Sequence, residues 1–225
     1  MKVEFTQINY SNKQKENFPS EMEGNVKMIS LDSKRIQGVH GKVYDTSDET
    51  VKDYIIRELD SGALGTYYNW FITRNGTIYH ITPNNKAGHS SVFKLYSSRM
   101  SIAFPEMCPQ HKVDVTDLSN IPDKKIISIC TELPEDSDSD IILTQHQEYA
   151  LQNLLSYYFK NVDGLTPKDV LSRHCLTRDT NEKETLGHKA FKTNITKLVV
   201  LTSYALMTSR KEPEIELSQS NSLDI

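Results

Sequence analysis

The stretch Tyr67-Tyr68-Asn69-Trp70-Phe71-Ile72-Thr73-Arg74, then Asn75-Gly76, then Thr77-Ile78-Tyr79-His80-Ile81 decides the fold. Two runs of aromatic and β-branched residues flank an Asn-Gly pair, the dipeptide that most readily adopts the positive-φ backbone of a tight hairpin. On its N-terminal side, Thr46-Ser47-Asp48-Glu49 reads as a capping box, with Thr46 as N-cap and Glu49 at N3. The helix it opens runs through Val51, Tyr54, Ile55 and Leu59 and stops near Gly62. Before it, Arg35-Ile36-Gln37-Gly38-Val39-His40 alternates like a strand, whereas roughly the first 30 residues are polar with weak strand signals.

On the C-terminal side, strands are expected over residues 100–104 and 125–133, with a Pro-, Asp- and Asn-rich loop between them and an acidic turn over 135–140. A helix is expected over 143–159. Thr144 caps it with Gln147 at N3, and Tyr149, Leu151, Leu154, Leu155 and Tyr158 form its apolar stripe. Thr166-Pro167-Lys168-Asp169 starts a short helix with Pro at N1. A polar stretch over 177–189 leads to a last helix over 194–208, and the polar tail from Ser209 is expected to be disordered. Interleaved strands and helices give an α/β class with a central mixed sheet flanked by helices. The expected division is a polar N-terminal segment (1–30), one domain (31–208) and a tail (209–225).

The 225 residues suffice for one ordinary core, and 37% hydrophobic with 25% charged residues is the composition of a globular protein. The net charge of −4 and the lack of any Lys/Arg block argue against nucleic acid as a partner. Cys108, Cys130 and Cys175 are scattered, with no CxxC pair, which points to synthesis in a reducing compartment. The N-terminus has no apolar core of a secretory signal, and no stretch approaches the ~20 apolar residues of a membrane span. The expectation is cytoplasmic synthesis and a monomer.

Two histidines stand on structured elements far apart in sequence: His40 at the end of its strand, and His174 in Ser172-Arg173-His174-Cys175 just after the short helix. A catalytic zinc needs three such protein ligands and an open position for water. A lone histidine more often fills a hydrogen-bonded core or surface role. His80, His111 and His146 have no motif around them and read as structural or exposed. Adjacent residues in extended chain point apart, so Cys175 is left out beside His174.

Order adds weight to these histidines. Ile36 to His40 resembles the strand that ends in the first zinc histidine of the type-2 N-acetylmuramoyl-L-alanine amidases, the family that includes phage lysozyme-like amidases and peptidoglycan recognition proteins. Tyr68 to Tyr79 resembles that family's Tyr/Ser-x-His-Tyr-x-Ile-x-x-x-Gly-x-Ile-Tyr hairpin. Ala87-Gly88-His89-Ser90 is similar to its Trp-His-Ala-Gly loop. The segment from Thr144 to Leu155 is similar to its Thr-x-x-Gln-x-x-Ala-Leu-x-x-Leu helix, and Arg173-His174 to the Gly-His of the second zinc histidine. The five pieces occur in family order over roughly residues 35–191.

The resemblance implies hydrolysis of the amide between N-acetylmuramic acid and L-alanine, with Zn2+ in a surface groove and peptidoglycan or a muropeptide as partner. It implies His40 and His174 as ligands, Tyr68 and Lys183 as stabilisers of the oxyanion, and His89 as a lining residue of the groove. It also implies a carboxylate general base, for which Glu132 in Ser128-Ile129-Cys130-Thr131-Glu132-Leu133 is preferred, with Glu106, after Ser101-Ile102-Ala103-Phe104-Pro105, as second choice. The third ligand departs from the pattern Lys-x-Asp-Pro-Gly-x-x-Phe. Lys183-Glu184-Thr185-Leu186-Gly187-His188-Lys189-Ala190-Phe191 puts Thr185 at the ligand position, and a neutral hydroxyl binds zinc poorly. His188 is the preferred substitute, with Glu184 and Asp179 as the others. A second reading is a degenerate fold that binds peptidoglycan without cutting it. A third is a phage or effector structural protein. Each site residue has a plainer alternative: Tyr68 as a cross-strand core residue, Lys183 as a solvated lysine, and Glu132 as surface.

Overall fold

The computed structural model describes residues 1–16, 18, 25–34, 48–60, 66, 68–83, 86, 125–132, 143–172 and 200–225. The strands are β1 (Lys2–Asn9), β2 (Met28–Lys34), β3 (Trp70–Ile72), β4 (Ile78–His80), β5 (Ile126–Glu132), β6 (Val170–Ser172) and β7 (Glu216–Asp224). The helices are α1 (Asn12–Lys15), α2 (Asp48–Asp60), α3 (Gln145–Asn161) and α4, described over residues 200–211. The seven strands form one mixed sheet in the order β6-β2-β5-β3-β4-β1-β7. β6, β2, β5 and β3 run parallel to one another, and β4, β1 and β7 run the other way after the β3–β4 hairpin.

The expected hairpin is present, with Trp70 opposite His80 and Ile72 opposite Ile78. Gly76 has φ of +87°, and a Cβ there would come within 2.9 Å of His146 on α3, so glycine is needed twice over. The alternation of side chains sorts the core into two layers. Ile29, Leu31, Trp70, Ile72, Ile127 and Ile129 pack with Leu151, Leu154 and Leu155 of α3 and Ala205 of α4. Phe71, Tyr79, Cys130 and Ile81 pack with Val51, Tyr54 and Ile55 of α2. Every residue of β5 is buried, as befits a parallel strand covered on both faces. Truncating a wholly buried leucine such as Leu154 to alanine costs about 2–5 kcal/mol in a core of this kind.

Three expectations are corrected, and one strand is added. The N-terminal segment was expected to be weakly structured, yet it supplies β1, whose Val3 and Ile8 enter the two core layers through contacts that local sequence does not display. Second, a strand that was not expected lies at Met28–Lys34; the strand expected over 35–40 falls outside the described residues. Third, Pro167–Asp169 is a single 3-10 turn with Asp169 bonded to the Thr166 N–H and hydroxyl, and it leads directly into β6. His174 therefore follows a strand. Fourth, the tail is ordered: α4 continues to residue 211, and β7 pairs with β1 from Lys2 opposite Glu216 to Asn9 opposite Asp224. The polar side chains of β7 lie mostly exposed at the sheet edge, which explains why hydrophobic patterning misses it.

Candidate functional site

The carboxyl ends of parallel strands are where α/β sheets usually bind ligands. Here β6, β2, β5 and β3 end on one edge, at Ser172, Lys34, Glu132 and Ile72. Leu31 is level with Ser172 on one side of β2, and Lys34 with Glu132 on the other. His174 comes two residues after β6, and His40 six residues after β2. Strands β6 and β2, which precede the two histidines in sequence, thus end at the edge at which Glu132 stands. His40, His89, His174, Lys183 and His188 themselves lie outside the described residues, as do Asp179, Glu184, Thr185 and Glu106.

Glu132 is 6% exposed. Its Oε2 accepts the Arg74 backbone N–H at 2.7 Å, and its carbonyl accepts Gln147 Nε2 at 2.8 Å. The same Gln147 donates to Ile72 O at 3.3 Å, while its Oε1 accepts the Thr144 N–H at 3.0 Å. Thr144 Oγ1 donates to Arg74 O at 2.6 Å. The capping box of α3 therefore does more than start a helix. It fastens the helix to the ends of β3 and β5 and fixes the backbone that presents Glu132. Nothing local in the sequence distinguishes Gln147 from an ordinary N3 residue, and this tertiary role goes unread there.

On the α2 face, the Tyr79 hydroxyl donates to Asp48 at the start of α2. Burial pushes the Tyr79 phenol up, followed by the hydrogen bond to Asp48 and the charges of Asp48 and Glu132. It is a neutral donor at any ordinary pH, and it ties the N-terminus of α2 to the sheet.

Tyr68 stands elsewhere. It is 3% exposed and packs in the core layer with Tyr54, Phe71 and Ile8. Asn69 N donates to Ser128 O at 2.8 Å, and Ser128 N to Asn69 Oδ1 at 2.9 Å, so the chain at Tyr68 runs beside the start of β5. From there to Glu132 is about 16 Å along the strand direction at the usual rise. The described structure does not bring Tyr68 and Glu132 together. His80 is structural, stacked on Trp70 with centroids 4.3 Å apart and with Nδ1 2.9 Å from Gln7 Oε1. Burial lowers its pKa to about 4. His146 is exposed on α3. Among the described residues no group of three or more His, Cys, Asp or Glu side chains is placed to hold a metal ion. No described helix is long and apolar enough to cross a membrane.

No protein-family model matches the chain, and no curated protein does. Among solved structures it is similar to the N-acetylmuramoyl-L-alanine amidase LysC from Clostridium intestinale URNW, at 15% identity and a TM-score of 0.41 over 83% of this chain and 97% of that one. It is also similar to the hydrolase AmiA of Staphylococcus aureus, at 11% identity and a TM-score of 0.46 over 92% and 85%. A third is PGRP-Hd from Alvinella pompejana, at 17% identity and a TM-score of 0.40 over 67% and 75%.

Proposed function

We propose that the chain is a zinc-dependent amidase that hydrolyses the bond between N-acetylmuramic acid and L-alanine in peptidoglycan or its fragments. The observation that carries this is the strand order β6-β2-β5. Three adjacent parallel strands end at one edge, with Glu132 on the last of them, and in sequence His174 and His40 follow the ends of the other two by two and six residues. The motif order from Ile36 to Phe191 supports the same reading.

His40, His174 and His188 make a three-imidazole donor set, the chemistry of a catalytic zinc with one open position. Bound there, zinc supplies a Lewis acid for the lactyl carbonyl and lowers the pKa of water. Glu132 acts as general base: it takes the proton of the attacking water and returns it to the L-alanine nitrogen as the C–N bond breaks. Its main-chain and Oε2 contacts hold it in position for this. Lys183 places a positive charge at the oxyanion. His89 lines the groove. We assign Tyr68 to the core, because it is buried well away from Glu132.

The departure at Thr185 favours a second reading, a peptidoglycan-binding chain with a weakened metal site and no hydrolysis. Metal content separates the two. An enzyme carries one equivalent of zinc and loses it together with activity in His40→Ala and His174→Ala. Zinc-free protein that retains sacculi without releasing peptide supports the binder.

A further inference from the structure

Helix α4 packs inward through small and hydroxyl-bearing residues. Thr202, Ala205 and Ser209 are buried, and Ser156 of α3 donates to Ala205 O at 3.2 Å. Leu201 and Leu206 are partly buried against the core. Val200, Tyr204 and Met207 are left at least half exposed. Spaced four and three residues apart, they form one line along the outer face of the helix, the spacing of a coiled-coil seam. Lys211 continues the line, with Arg210 beside it, and both are exposed. Tyr149 of α3 lies at the other end. Asn161, which ends α3, donates to Ile215 O just beyond α4 at 3.1 Å, so the two helices run in the same sense. Tyr149 stands two turns before Ser156 on the same face, which sets it near the level of Val200, and it too is at least half exposed. Exposed apolar residues scattered singly are ordinary, whereas a contiguous line of them marks an interaction surface.

We propose that this face is a self-association surface, on which a second copy of the chain lays its own α4 antiparallel about a two-fold axis between Tyr204 and Met207. A two-fold interface must be complementary to itself, and the two ends of this line are. In the antiparallel pair Tyr204 of each copy packs on Met207 of the other. The Arg210 and Lys211 end meets the aromatic end, where Arg210 reaches the ring of Tyr149. A parallel pair would set the cations of both copies against one another. A helix about 18 Å long buries less than a standard interface, so the association is weak and the monomer is the form at low concentration. The test is sedimentation velocity of the full chain from about 1 to 200 μM, a range that brackets a micromolar Kd. A reversible monomer–dimer equilibrium is expected. Tyr204→Lys and Met207→Lys each weaken it by about ten-fold or more, and Tyr149→Ala weakens it less. A wild-type chain that is monomeric throughout overturns the proposal, as does an undiminished dimer in Met207→Lys. Chains carrying Tyr204→Cys and Met207→Cys are then mixed and oxidised beside the wild-type chain. The antiparallel pair gives a disulfide between the two variants, whereas cross-links only within each variant overturn it. Should Tyr204→Lys fail to fold, Met207→Lys and the cross-link decide. A monomeric chain that pelleted with anionic phospholipid vesicles, and lost this in Met207→Lys, would assign the face to a lipid surface and overturn the dimer.

Discussion

Glu132 and Tyr68 were both expected to touch the reaction, and their surroundings now separate them. Glu132→Gln keeps an acceptor for the Arg74 N–H and removes the base. It is expected to fold normally and to lose about 10²–10⁴-fold in kcat. Tyr68→Phe removes only a hydroxyl from the core layer and is expected to change kcat by less than about three-fold, far below a lost oxyanion donor. A Tyr68→Phe variant as inactive as Glu132→Gln would return Tyr68 to the reacting centre. His80 governs a different property. Its pKa of about 4 in the fold lies below the ordinary 6.5, so between these values the unfolded chain binds a proton that the folded chain does not. Its contribution to stability is complete above pH 6.5 and is lost as pH falls towards 4. His80→Phe, which keeps an aromatic ring against Trp70, is expected to flatten that part of the stability-versus-pH curve. An unchanged slope would show that other groups set it.

Among elements, those legible in the sequence carry their instructions locally. The hairpin announces itself through Asn75-Gly76, and α3 through Thr144 and Gln147, whose capping box forms as read. Strand β5 falls within the expected 125–133, because six apolar or small residues between Lys125 and Glu132 leave few alternatives. Strands β1, β2 and β7 were missed because their pairing partners, not their own patterns, make them strands. The candidate site divides in the same way. Glu132 could be read, whereas the roles of Gln147, Arg74 and the Asp48–Tyr79 pair arise from residues brought together across the sheet. Since α3 is locked to β3 and β5 through Thr144, Thr144→Ala is expected to cost about 1–2 kcal/mol in denaturant unfolding. It should also lower kcat, because the backbone behind Glu132 loosens. Lost stability with unchanged turnover would confine Thr144 to helix capping.

At the scale of the whole molecule, the two ends of the chain meet. The Met1 amino group donates to Glu214 O at 2.5 Å, and β1 lies between β4 and β7. Deleting residues 214–225 would bare the long edge of β1 and expose Val3, so the truncated chain is expected to unfold at markedly lower denaturant and to aggregate. An unchanged midpoint would mean that the tail contributes nothing. The order β6-β2-β5 is also a property of the whole molecule, since it draws together segments more than a hundred residues apart at one edge. Zinc-dependent cleavage at that edge is tested most directly by mass spectrometry of the products from purified sacculi, with and without a chelator. An amidase releases peptide stems with a free N-terminal L-alanine, leaves intact glycan, loses this activity to the chelator and regains it with added zinc. No released stems, or release indifferent to the chelator, would contradict it.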